Sequence, residues 1–479
     1  MSGRADFLYK SFIEHFSYEP TGSQDALFRD MAGFLTGDDG DIMVVNGYAG
    51  TGKTSALAAV VAAMSEFRMR CVLLAPTGRS AKVLSSYTGR PAFTIHKHIY
   101  RRSQIGDDGV GRFSLMRNMT RDCLYIVDEV SLIGIGSADG GSAHFGSGNL
   151  LEDLIRFVRG GAGCRLVLIG DSAQLPPIGM DRSPALSPEY MSMAGGVRFA
   201  ELTEVVRQQK ESGILHNATR LRNLIADDPA GPLEMAGLML RSRGFEDVEA
   251  IGGGELIEAI SDAYSRYGED ETVILCRSNK RANRYNAGIR AQVLYREERL
   301  VRGEKLMVVR NCYQLSGKDK KDDTDYIANG DIARLVSIRN YEERYSLHFA
   351  DACLSFPDYN DMELNVKLCL DTLESESASL TGEQQNALYC GVLEDYSSLS
   401  TKKKRHDAVQ EDPYYNALQV KYAEAITCHK SQGGQWRCVF VDNPFWTGEL
   451  TGDDLKWLYT AVTRATEKLY LVNFKDIEK

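Results

Sequence analysis

No run of apolar residues in this chain approaches the ~18 residues that a membrane-spanning helix needs, so a membrane protein is not expected. A secretion signal is not expected either. The first residues, MSGRADFLYKSFIEHF, are amphipathic and carry acids. Ten cysteines are present, but no two form a C-x-x-C pair. That argues against a zinc site or a disulfide framework, and a reducing cytoplasm is expected. Positive charge is in deficit, with 56 Lys and Arg against 66 Asp and Glu and a net charge of −10. Proteins that coat nucleic acid without specificity are usually basic. Any strand bound here must therefore lie in a local groove. What remains is ordinary for a globular chain, at 43% hydrophobic and 25% charged residues. A length of 479 residues allows about three domains.

The strongest positive signal is GYAGTGKT, Gly47 to Thr54, which fits G-x-x-x-x-G-K-[ST] at every fixed position. An apolar strand-like run, Ile42 to Val45, precedes it, and a helix-forming run, Ser55 to Met64, follows. In such a loop the backbone N–H groups of Gly47, Ala49, Gly50, Thr51, Gly52, Lys53, Thr54 and Ser55 are placed to cradle phosphate oxygens at a helix N-terminus. Lys53 would reach the β- and γ-phosphates of ATP, and Thr54 would take Mg²⁺. Asp128 and Glu129 follow the apolar Leu124 to Val127, at the carboxyl edge of an expected sheet. Asp128 would complete the Mg²⁺ shell and Glu129 would deprotonate the attacking water. A third strand runs into Gly170-Asp171-Ser172-Ala173-Gln174-Leu175-Pro176-Pro177, a stiff turn that could hold Gln174 against the γ-phosphate.

The wider pattern is α/β. Candidate strands Cys71–Ala75, Leu124–Val127 and Arg165–Ile169 form one set; Thr272–Cys276, Ala423–Thr427, Cys438–Val441 and Leu469–Val472 form another. Residues 101–121 read as a hairpin excursion. Strand-like stretches Lys305–Val309, Asp331–Ser337 and Tyr345–Phe349 suggest a small β-barrel, followed by a polar, helix-prone segment from Thr381 to Gln410. The run Lys402 to Arg405 within it reads as a solvated helix face.

Taken in order, Gln24, GYAGTGKT, APTGRSAKVL from Ala75, TIHKHIY from Thr94, VDEVS, GDSAQLPPI, LTEVVRQ from Leu202, ANGDIARL from Ala328, TCHKSQGGQW from Thr427 and LYTAVTRATEKLYLV from Leu458 resemble the motifs of superfamily 1B helicases of the RecD- and Dda-like kind. The resemblance spans nearly the whole chain. It implies two RecA-like parallel-sheet P-loop domains, with a pin-like hairpin at 101–121 inside a first motor domain at 1–203. The second motor domain would comprise 204–300 and 419–479, and 301–418 would be an SH3-like insert with a tower-like helical extension. It further implies that Gln24 reads the adenine edge and that Arg207 and Arg464 reach the γ-phosphate. Gly433 and Gln435 would lie at the nucleotide, Gln435 where the family often has an acid for the ribose.

Single-stranded DNA is expected along Thr77, Thr94 and His96 of the first domain and Thr427, His429 and Lys430 of the second. Arg101, Arg102 and Arg112 could meet phosphates, and Phe113 either stacks on a base or tucks inward. The expected activity is 5′→3′ unwinding by a monomer at duplex junctions, with direction taken from the resemblance alone. A translocase or RNA remodeller that does not unwind DNA, and an ATP-gated binding module, stay open as alternatives.

Overall fold

The computed structural model describes residues 3–105, 111–136, 143–205, 212–227, 233–234, 240–312, 327–359, 361–445 and 449–474. Its first body is a six-stranded parallel sheet. Across the sheet the strands are Ala92–Thr94, Arg70–Ala75, Cys123–Val127, Arg165–Gly170, Ile42–Gly47 and Val197–Leu202. The central strands are buried on both faces, which is why they read as continuous apolar runs. All six strands run parallel, so every strand delivers its last residues to one carboxyl edge.

The second body repeats the plan with five parallel strands. Their order is Val248–Ile251, Ala465–Val472, Trp436–Asp442, Thr272–Cys276 and Ala425–Thr427. Between its two halves the chain forms a closed five-stranded barrel from Lys305–Val308, Ile332–Arg344, Leu347–Phe356, Met362–Cys369 and Leu418–Tyr422. The last of these crosses the boundary expected at 418, because it pairs with both Lys305–Val308 and Met362–Cys369 to close the barrel.

The polar segment after the barrel forms helices Gly382–Asp395 and Lys402–Glu411, each capped by a threonine side chain. Leu388, Val392 and Val409 on these helices pack against Leu347, Phe349 and Cys369 of the barrel. Lys402, Lys403 and Lys404 are exposed. The hairpin pairs Tyr100–Ile105 with Gly111–Leu115, and Ala143–Phe145 adds a third strand. No helix among the described residues is long and apolar enough to cross a membrane.

Candidate nucleotide cleft and strand groove

The P-loop turns where strand Ile42–Gly47 meets helix Lys53–Glu66. Gly50 and Gly52 both sit at φ +74°, a left-handed conformation that glycine adopts without strain. A Cβ on Gly47 would lie 2.7 Å from Lys53 Cγ, because the lysine stem folds back over the loop. Lys53 Nζ donates to the carbonyls of Gly47 and Tyr48 and stands 3.8 Å from Asp171 Oδ2.

Two side chains from elsewhere brace the loop. Gln24 Nε2 donates to Thr51 O at 2.9 Å, while Gln24 Oε1 accepts from Thr21 N–H at 2.9 Å in a capping box. Both ends of the Gln24 amide are thus committed to structure here. Tyr459, from the second body, accepts from Ala49 N–H at 2.8 Å and donates to Asp171 Oδ2 at 2.7 Å.

Asp128 and Glu129 leave the sheet edge as expected. Burial and the charge of Glu129 push the Asp128 carboxyl up, to about 7. Glu129 has φ +56°, rare for a residue with a side chain, and its N–H donates to Asp128 Oδ1 at 2.9 Å. Gln174 is buried, and its Oε1 finds no hydrogen-bond partner among the described residues. Across the gap Arg464 donates to the carbonyls of Thr460 and Gly434, both at 3.1 Å.

These groups line one cleft of about 470 Å³, within the range of small-molecule sites. Its walls include Ala49, Gly50, Gly52, Lys53, Thr54, Ser55, Asp128, Glu129 and Gln174 from the first body, and Gly433, Gln435 and Arg464 from the second. The two bodies approach closely there. Gly433, at φ +75°, would place a Cβ 2.7 Å from Ser80 Oγ. Tyr87 donates to Gln435 Oε1 at 3.1 Å. Arg79 stacks 4.0 Å over the Trp436 ring.

A separate groove gathers Thr77, His96, His429 and Lys430. Burial lowers the pKa of His96 to about 4, so its ring is neutral at pH 7. His429 is lowered by burial, then by Arg277 and Lys430. Lys430 Nζ reaches Asn329 Oδ1 on the barrel turn. Thr94 is buried and its side chain caps helix Ile95–Ile99, whereas Thr427 stands at the N-cap of helix Cys428–Ser431 without a side-chain capping bond; neither lines this groove.

Arg101 is exposed on the hairpin. Phe113 is half-buried and has one ring face stacked on Phe145 at 4.5 Å. Arg207 lies outside the described residues, as do the side chains of Arg102 and Arg112. Asp171, Tyr459 and Tyr87 were not singled out from sequence. Asp171 and Tyr459 stand inside quoted motifs, but the bond between them joins residues 288 positions apart.

The family described as an AAA domain matches residues 23–229, and the UvrD-like helicase C-terminal domain matches 422–472. The ATP-dependent RecD2 DNA helicase of Deinococcus radiodurans is 30% identical over 218 residues, covering 42% of this chain and 26% of that protein. An uncharacterised protein of Methanocaldococcus jannaschii is 21% identical, with 37% of its length covered. The chain thus spans only about a quarter to a third of these two relatives. The ATP-dependent DNA helicase dda of Enterobacteria phage T4 is 22% identical over 457 residues, covering 90% of this chain and 94% of that protein. Among solved structures, a Pif1 helicase from Bacteroides in complex with ADP-AlF3 and ssDNA aligns with a TM-score of 0.46 at 15% identity, covering 96% and 94% of the two chains. With its ordered motifs and two parallel-sheet bodies, the chain resembles the superfamily 1B helicases, on the RecD- and Dda-like side of that group, and these matches agree with that resemblance.

Proposed function

We propose that the chain is an ATP-driven motor that travels 5′→3′ on single-stranded DNA and separates duplex ahead of it. One observation carries this reading. Lys53, Glu129 and Gln174 of the first body face Gly433, Gln435 and Arg464 of the second across one cleft, so a nucleotide there would touch both. Direction rests on the family resemblance, since no side chain fixes it.

The chemistry follows from the groups present. Lys53 exchanges its two carbonyl partners for phosphate oxygens. Glu129 takes a proton from the attacking water. The free Gln174 oxygen accepts a hydrogen bond from that water and orients it. Arg464 leaves the Thr460 and Gly434 carbonyls for the γ-phosphate, where a guanidinium fork matches the developing charge. Arg207 is proposed for the same role.

The Thr54 hydroxyl and the Asp128 carboxylate are the protein ligands that fit Mg²⁺, a hard ion that keeps several waters and takes few side chains in nucleotide sites. When bound, the ion supplies charge neutralisation on the phosphates. Gln24 reaches adenine only by giving up one of its two present bonds. The two cleft states bind nucleotide differently, and that difference moves one body relative to the other along the strand.

The test is unwinding of duplexes carrying a 5′ or a 3′ tail, with phosphate release measured in parallel. ATP-dependent opening of the 5′-tailed duplex alone is expected, and Lys53→Ala should abolish it. Strand-stimulated phosphate release without opening would favour the translocase reading. No phosphate release at all would refute a motor.

A further inference from the structure

The strand groove has two chemistries. Thr77, His96, His429 and Lys430 bring polar groups, whereas Ile133, Ile135, Pro177, Ile178 and Met180 bring none. The apolar set is continuous. A Cβ on Gly134 would stand 3.0 Å from Pro177 Cβ and 3.7 Å from Met180 Sδ. Ser183 Oγ donates to Val130 O at 2.8 Å and Ile133 O at 2.7 Å, which ties the two loops together.

Ile178 is 89% exposed and Ile135 48% exposed. Single surface hydrophobics need no explanation. Ile178 differs because of how it is held. Met180 N–H donates to Pro177 O at 3.0 Å, and Gly179 has φ +80°, as the third position of a type II turn requires. Turn tips usually carry polar residues. The stem is anchored by the second body: Leu175 N–H donates to Thr460 Oγ1 at 2.8 Å, and Leu175 O accepts from Gln432 Nε2 at 2.7 Å. A rigid turn therefore holds an isoleucine out into a groove whose other side chains can bind phosphate.

We propose that Ile178, backed by Ile135 and Met180, forms a base-facing wall on which nucleobases of single-stranded DNA pack while Thr77, His96, His429 and Lys430 take the phosphates. This rests on the strand-motor reading above. A single strand has an apolar face of bases and an anionic edge, and this groove offers both complements. Apolar packing reads no sequence, which suits a motor, and it lets an acidic protein hold a strand with few cations.

The experiment measures binding of the full chain to oligothymidylate and to an abasic strand of equal length. The unsubstituted protein should bind the abasic strand roughly tenfold more weakly. Ile178→Ala should lower thymidylate affinity by a similar factor, leave abasic binding where it was, and leave the salt dependence unchanged because no phosphate contact is lost. Ile178→Leu should restore most of the difference.

Equal binding of both strands by the unsubstituted protein would overturn the base wall and leave the motor reading standing. Equal weakening of both strands by Ile178→Ala would do the same. Binding of neither strand would instead bring down the motor reading, and the wall with it.

Discussion

Gln174 keeps a buried amide oxygen without a partner among the described residues. Such a group costs about 1–3 kcal/mol in a folded protein. Polar groups held in that state are often functional, because stability and activity trade against each other at such sites. Gln174→Leu should therefore leave the melting temperature unchanged or raise it slightly, while phosphate release falls on the order of 100-fold. A fall in stability together with unchanged turnover would show that Gln174 serves packing alone. Glu129 makes the complementary case, with φ +56° spent on aiming one carboxylate. Glu129→Gln should retain nucleotide binding and lose nearly all hydrolysis, as read by equilibrium nucleotide titration beside phosphate release.

The elements that carry these residues differ in how openly the sequence announced them. The P-loop, the Asp128–Glu129 strand end and the Gln174 turn are local: a buried strand, a required turn and a polar tip stand within a few residues of one another. The short edge strands are not. Ala92–Thr94 has three residues, one of them exposed, and Val248–Ile251 alternates weakly, so neither shows a period long enough to read. Met362–Cys369 is a barrel strand whose first four residues are half-buried or exposed, and it passes for loop.

Least legible of all was Tyr459. Its helix, Gly452–Val462, is plain from its capping box and apolar positions. Its hydroxyl, however, bridges Ala49 N–H and Asp171 Oδ2, groups that no local pattern connects to it. Tyr459→Phe would strip one partner from each of two groups at the nucleotide cleft. A loss of about 1–3 kcal/mol of stability is expected. A raised KM for ATP should accompany it, because the P-loop loses a brace. Steady-state kinetics and thermal melting check both, and an unchanged KM would make Tyr459 interdomain packing only.

At the scale of the whole molecule, the barrel is a keystone between the two bodies. Its turn Ala328–Asp331 touches the second body where Lys430 reaches Asn329, and the first body at the start of helix Gly78–Thr88. A Cβ on Gly78 would lie 2.7 Å from Tyr359 Oη and 2.8 Å from Asp331 Oδ1, so glycine is what lets the barrel seat there. Lys82 strengthens the seam through Pro357 O at 2.8 Å and Asp358 at 3.2 Å.

Asp331 is buried in this seam and accepts from Tyr359 Oη and Ala328 N–H, both at 2.7 Å. Burial nevertheless raises its pKa to about 7. A carboxyl whose folded pKa lies above its unfolded value favours the folded state while protonated. That contribution is present in acid and is lost as pH rises through the folded pKa. The melting transition that includes the barrel should therefore weaken between about pH 4, near the unfolded pKa, and about pH 7, near the folded one. Tyr359→Phe removes a donor to the ionised form. It should cost little at the acid end and about 1–3 kcal/mol at the alkaline end, where the carboxylate is charged and short of a partner. Asp331→Asn should flatten the pH dependence in both backgrounds. Melting curves of the three variants across that range decide the matter, and a Tyr359→Phe loss that is equal at both ends would place the cost in the ring's packing instead of in the charge.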